Sequence, residues 1–195
     1  MIEAALSHVA LELDRHLKRK LGESEGRVVL SPLFEQDGTV TARIDNKLLM
    51  FVVNIEKDSV ARGNGSRDSE LTQRGSTRPL HLNLHVLVAA NFANGNYAEA
   101  LRFISDAASF FQRQPVMTST NSPDLDPRIQ RLTLDIENLS ISQLSNLWSI
   151  LGGRYLPSIL YKIRMITLES ADVLREVQPI REPATTVSTR SGTAE

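Results

Sequence analysis

From Leu80 to Val88 the chain reads LHLNLHVLV, an alternation of apolar and other residues without a break. Successive side chains leave a β-strand on opposite faces. Leu80, Leu82, Leu84, Val86 and Val88 therefore share one face, and His81, Asn83, His85 and Leu87 share the other. The chain is built around a sheet, and other segments must cover its apolar face.

Three segments have the period to do so. Ile2, Leu6, Val9, Leu13 and Leu17 recur at spacings of three and four, which predicts an amphipathic helix ending near Gly22. After Asn94-Gly95, Asn96 with Glu99 reads as a capping box that opens a helix running to about Gln112. Tyr97, Leu101, Phe103, Ile104, Ala107, Ala108, Phe110 and Phe111 fill one half of its wheel. Glu99, Arg102, Ser105, Asp106, Ser109 and Gln112 fill the other. Ser140 and Gln143 make a second capping box, ahead of a Leu144, Leu147, Trp148 and Leu151 stripe closed by Gly152-Gly153.

Further strands are predicted in RVVLSPLF (27–34), broken at Pro32, and in LLMFVVNI (48–55), apolar enough to be covered on both sides. RLTLDIE (131–137) and LPSILYKIRMITL (156–168) alternate as half-buried strands do. The predicted fold class is α+β: a single domain with a mixed, mostly antiparallel sheet and helices packed over it. A chain of 195 residues that is 41% apolar fills one such core. The domain is placed at residues 1–176, with 177–195, rich in Pro, Thr and Ser, as a flexible tail. Residues 57–79 are polar and Gly-rich and read as a long exposed loop that orders against a partner.

Charge and composition remove several function classes. Lys plus Arg, at 22, balances Asp plus Glu, at 23, so no overall field draws nucleic acid or an anionic membrane. The basic run RHLKRK (15–20) sits at a helix end, where cations suit the helix dipole. Absence of cysteine excludes thiolate metal sites, thiol nucleophiles and disulfides. No stretch approaches the roughly 20 apolar residues that span a bilayer, and the N-terminus lacks the apolar core of a signal peptide. The expectation is a soluble chain made in the cytoplasm.

The motifs that could carry chemistry lack their settings. GESEG (22–26) matches G-x-S-x-G, but that elbow follows a strand and opens a helix, whereas Ser24 follows a helix and precedes a strand. GNG (63–65) lacks the Lys-Ser/Thr of a phosphate loop, and Gly152-Gly153-Arg154 ends a helix where phosphate would need a helix start. His8, Glu12 and His16 drift around their helix and read as a solvated flank. His81 and His85, four apart on a strand, are separated by about 13 Å, too far for two ligands to one ion. They read as part of a polar sheet face, exposed or against a neighbour. The alternative kept beside this is a hydrolytic or metal-dependent enzyme using His81, His85 or Ser24.

A resemblance then bears on function. The block NLHVLVAANFANGNYAEALRFISDAASFFQRQPVMT (83–118), followed by LTLDIENLSISQLSNLWSILGGRYLPSILYKIRMITL (132–168), resembles the N-terminal domain of tail terminator, or cap, proteins of phage-derived contractile injection systems. FVVNIEKD (51–58) and MIEAALSHVALELDRHL (1–17) fit the same pattern, and AANF, FFQ, NLW, LGGRYLPS and YKIRM in that order carry most of it. The resemblance implies a subunit that closes the distal end of tube and sheath as a hexameric ring. It implies no enzyme activity and no cofactor. Its partners would be copies of itself and the inner tube and sheath proteins, with or without a second cap subunit, and neither nucleic acid nor membrane. Assembly would take place in the cytoplasm, into a particle that acts within its cell or is released.

A closed ring uses heterologous contacts, so each subunit presents two different surfaces. The candidates are Arg62, Arg67 and Arg74 in the 57–79 loop, His81 and His85 on the strand, and Arg154 and Tyr155 in the segment 152–157. Arg and Tyr are residue types enriched in interfaces.

Overall fold

The computed structural model describes residues 1–22, 24–35, 37–58, 80–92 and 95–167. In chain order the elements are α1 (Ile2–Leu21), β1 (Val28–Leu30), β2 (Lys47–Lys57), β3 (Leu80–Asn91), α2 (Tyr97–Arg113), β4 (Val116–Met117), β5 (Ile129–Ile136), α3 (Ile141–Ile150) and β6 (Ser158–Thr167). The strands form one sheet in the order β1-β2-β3-β6-β5-β4. β1 runs parallel to β2 and every other neighbouring pair is antiparallel. The fold is α+β with a mostly antiparallel sheet, as the alternation predicts.

The inner face carries the larger core. Leu84, Val86 and Val88 of β3, Leu48 and Met50 of β2 and Tyr161, Ile163 and Met165 of β6 pack against Leu6, Val9, Leu13 and Leu17 of α1 and Phe103, Ala107, Phe110 and Phe111 of α2. Burial of each large side chain contributes about 1.5–3 kcal/mol by removing apolar area from water. α1 stops where the sequence says it should. Gly22 takes a left-handed φ of 70° and donates its N–H to the Lys18 carbonyl, with Lys18, Arg19 and Lys20 in the last turn. Asp14 ties α1 to the next strand: its Oδ1 accepts from the N–H groups of Arg27 (2.7 Å) and Val28 (3.0 Å).

Several local expectations give way. Asn96 precedes α2, yet its side chain makes no capping bond, so the predicted box with Glu99 is not formed. On α2, Tyr97 and Leu101 are exposed, because the helix turns the side carrying Ala100, Phe103, Ala107 and Phe110 to the core and leaves these two positions off it. Asp106, placed on the wet side by the wheel, is buried and bonds Lys20 of α1, since the second helix lies where water was expected. α3 keeps its box: Gln143 N–H donates to Ser140 Oγ and Ser140 N–H to Gln143 Oε1. β2 is covered on both sides from Leu48 to Phe51, with Leu48 and Met50 in one core and Leu49 and Phe51 in the other, but it is exposed from Asn54 onward, so the double cover its apolar run suggests holds for its first half alone.

The histidines of α1 also depart from a solvated flank. His8 is buried, and its Nε2 has no hydrogen-bond partner among the described residues. His16 stacks on Phe110 with centroids 5.0 Å apart and lies 3.1 Å from Arg113 Nη2, which makes the neutral imidazole the acceptor. Burial lowers both pKa values from the ordinary 6.5, helped at His16 by Arg113, Arg19 and Lys20. At His8, Glu12 and Asp124 oppose the shift and Arg15 adds to it. The unfolded chain then binds these protons first. Their contribution to stability is whole above about pH 6.5 and is lost as pH falls toward the lower folded values. In thermal melts from pH 7.5 to 5, the His8→Gln/His16→Gln double variant should lose less stability than the parent chain; an identical decline would refute the assignment.

Candidate assembly surfaces

Among the described residues, helix and loop cover only part of the outer face of the sheet. Trp148, Leu144 and Leu147 of α3, with Leu33 and Ile44 from the segment between β1 and β2, pack on Leu49, Phe51, Leu87, Ala89 and Leu160. Along the strands from there, the same face turns polar. Cross-strand partners share a face, so the register sets out rows: Asp135, Lys162, His85 and Asn54 in one, and Thr133, Arg164, Asn83 and Glu56 in the next. His81 and Arg131 follow, on either side of Ile166. No helix among the described residues lies over these rows.

Electrostatics on this face are local and of mixed sign. His85 Nε2 lies 3.3 Å from Glu56 Oε2, close enough for attraction when the imidazole is protonated, but it is not aligned as a hydrogen bond. Glu56 Oε1 accepts from Asn54 Nδ2 at 2.9 Å. Asn83 is 5% exposed, and its Oδ1 has no hydrogen-bond partner among the described residues. His81 and His85 do share a face, four residues apart along β3 and across from Ile166 and Lys162.

The second surface lies at the opposite end of β6. α3 closes with Gly152 at φ 90° and Gly153 at φ 74°, and Gly153 N–H returns to the Trp148 carbonyl at 2.7 Å. This turn projects Arg154 and Tyr155 outward. Tyr155 is 57% exposed and meets Trp148 edge-on at 5.7 Å between centroids. Together with Leu33, Phe34, Val40, Asn91 and Leu156 these two residues line a cleft of about 310 Å³. The turn is held by a close approach: a Cβ on Gly152 would sit 2.7 Å from Phe34 Cε2. Gly152→Ala should therefore cost about 2–3 kcal/mol in urea denaturation, against about 1 kcal/mol for Gly153→Ala, whose Cβ would meet open space. Equal costs would mean that Phe34 does not hold the turn.

The predicted site residues thus fall into separate places. His81 and His85 stand on the polar sheet face, and Arg154 and Tyr155 stand beyond the start of β6, while Arg62, Arg67 and Arg74 lie outside the described residues. Lys162, Arg164, Asp135 and Glu56 join the histidines. Lys162 and Arg164 alternate visibly in LYKIRMI and Asp135 in RLTLDIE, while Glu56 follows the apolar run of β2, and the adjacency of the four is a matter of register. Ser24 is exposed in the stretch leading from α1 into β1, the reverse of a nucleophile elbow. Of the loop acids, Asp124 bonds Arg15 at 2.9 Å and Asp126 bonds Arg128 at 2.6 Å. Among the described residues no group of three or more His, Asp or Glu is placed to hold a metal ion, and no helix is long and apolar enough to cross a membrane.

No curated protein matches the chain. Among solved structures, the sheath/tube terminator of the extracellular contractile injection system PVC, in its extended state, superposes with a TM-score of 0.63 at 16% identity, over 100% of this chain and 65% of that one. The tube terminating cap of the anti-feeding prophage superposes with a TM-score of 0.52 at 16% identity, over 91% of this chain and 61% of that one. This chain thus spans a little under two thirds of either protein, and at such identity the likeness is one of fold. The family model for the Pvc16 N-terminal domain matches residues 5–182, nearly the whole sequence, and the chain belongs to that family.

Proposed function

We propose that this chain is a non-enzymatic structural subunit that terminates the inner tube and sheath of a contractile injection system, acting as a hexameric ring that caps the distal end. The observation that carries this reading is the family match over residues 5–182, joined to a fold that superposes on a sheath/tube terminator and on a tube terminating cap. Physical support comes from the two surfaces. A ring needs two unlike faces on each subunit. The polar rows around His81 and His85 differ in chemistry from the aromatic turn at Arg154 and Tyr155, and the two lie at opposite ends of β6. Arg62, Arg67 and Arg74 are proposed to add contacts from their own segment. Assembly is assigned to the cytoplasm, and the finished particle to either side of the cell boundary.

Mass photometry of the purified chain, alone and with its cognate tube and sheath proteins, tests this. The expected species has six times the 21.7 kDa subunit mass and associates with tube or sheath. A chain that stays monomeric with both present would refute the reading.

A further inference from the structure

The sheet edge on the β5 side is only half closed. β4 pairs Val116 with Thr133 and Met117 with Leu132, and goes no further. Pro115 is the reason. Its carbonyl accepts the Leu134 N–H at 2.8 Å, but it has no N–H to return to the Leu134 carbonyl. Glu137 N–H donates to the Leu160 carbonyl at 2.9 Å, so the odd positions here turn their backbone groups to β6 and the even ones turn theirs outward. The Leu134 carbonyl and both backbone groups of Ile136 therefore face a side where no strand lies among the described residues.

Two further observations converge on this edge. Beside it runs a groove of about 420 Å³, lined mainly by Phe111, Pro115, Leu134, Ile136 and Tyr161. Ile136 is 53% exposed, although its strand-mates Leu132 and Leu134 are buried. Tyr161 is 2% exposed, and its hydroxyl has no hydrogen-bond partner among the described residues. Burial pushes that phenol up to about 12, so it remains an O–H donor at neutral pH. An open edge, an apolar groove and an unused buried donor are the parts of a site that takes an added strand.

We propose that one extended segment of a partner protein docks here, pairing with Ile136 as a strand, with an apolar side chain in the groove and a carbonyl on the Tyr161 O–H. Charge specifies its alternate positions. Asp135 and Glu137 flank Ile136 on the other face of β5, where Lys162 stands across from Asp135 alone. The incoming strand therefore alternates apolar with basic residues. Among the described residues a second copy offers no well-matched edge: β1 has three residues and its Val28 N–H is already taken by Asp14, and a second β5 edge would set Asp135 and Glu137 against their own like charges. The inference rests on the terminator reading only for which protein supplies the strand.

The acetylated, amidated peptide KVKVKVK tests the edge without tube or sheath, so this proposal and the terminator reading can fail separately. In amide hydrogen exchange Ile136 should exchange freely in the dilute chain and slow by about tenfold or more with peptide. Ile136→Pro removes an outward N–H together with part of the groove's lining and keeps a φ that a strand allows, so the peptide should bind it at least about tenfold more weakly with little change in melting temperature. Tyr161→Phe covers the case in which the proline variant fails to fold: it should weaken peptide binding severalfold without loss of stability. Any of four results would overturn the proposal: an Ile136 amide protected in the dilute chain, protection that rises with protein concentration as a second copy would give, undiminished binding by both variants, or equal binding of EVEVEVE.

Discussion

Phe103→Ala should lower the unfolding free energy by about 3–5 kcal/mol, read from urea denaturation at neutral pH. Phe103 is 2% exposed, lies at the centre of the core-facing side of α2, and meets Phe92 at the end of β3 with ring centroids 4.9 Å apart. Truncation loses the transfer energy of the ring and leaves a cavity between two elements whose backbones are held elsewhere, so collapse around it is partial. A domain of this size has about 5–15 kcal/mol in total, which makes this loss a large part of the whole. Leu101→Ala is the matched control. It sits two residues away, on the half of the wheel the sequence assigns to the core, but is 43% exposed. Its loss should stay below about 1 kcal/mol. Comparable costs for the two would mean that α2 is rotated from the orientation described.

Asp14→Ala should cost about 2–4 kcal/mol by the same measurement. One carboxylate does three things: Oδ1 accepts the Arg27 and Val28 N–H groups, and Oδ2 pairs with Lys18 Nζ at 2.9 Å. Asp14 itself is 8% exposed, so its removal takes the acceptor from two backbone donors at a place where water enters poorly. Asp14→Asn separates the parts. Its amide oxygen can still serve both N–H groups while the charge on Lys18 goes unmatched, and more than half of the stability should return. An asparagine variant no better than alanine would assign the effect to the ion pair.

Period was legible where one element met one core. The alternation of LHLNLHVLV places Leu84, Val86 and Val88 on the inner face, and the spacing in α1 places Leu6, Val9, Leu13 and Leu17 against it. The Ser140 box and the Gly152-Gly153 stop also hold, because a cap is completed within a few residues of chain. Asp106 shows where such reading ends. A helical wheel knows one partner surface, and α2 has two, the sheet below and α1 beside it. That second neighbour supplies Lys20 and turns a polar position into a buried one. Tyr97 and Leu101 fail in the opposite sense, since α2 is turned so that Ala100, Phe103, Ala107 and Phe110 face the core and these two positions lie off that stripe.

The candidate surfaces divide in the same way. Their residues could be named one strand at a time, but the rows joining Asp135 to Lys162 to His85, and the bare edge left by Pro115, exist only once β3, β6 and β5 are in register. What the sequence alone determined was local: which segments are helix or strand, which face of each strand is apolar, and where chains of this pattern stop and turn. Those follow from the side-chain periods of 3.6 and 2 and from glycine and proline backbone limits. Strand order, register and the joining of polar residues into rows across the sheet were decided by the tertiary structure, because they depend on contacts between residues far apart in the chain, and no local period encodes which distant strand will be the neighbour.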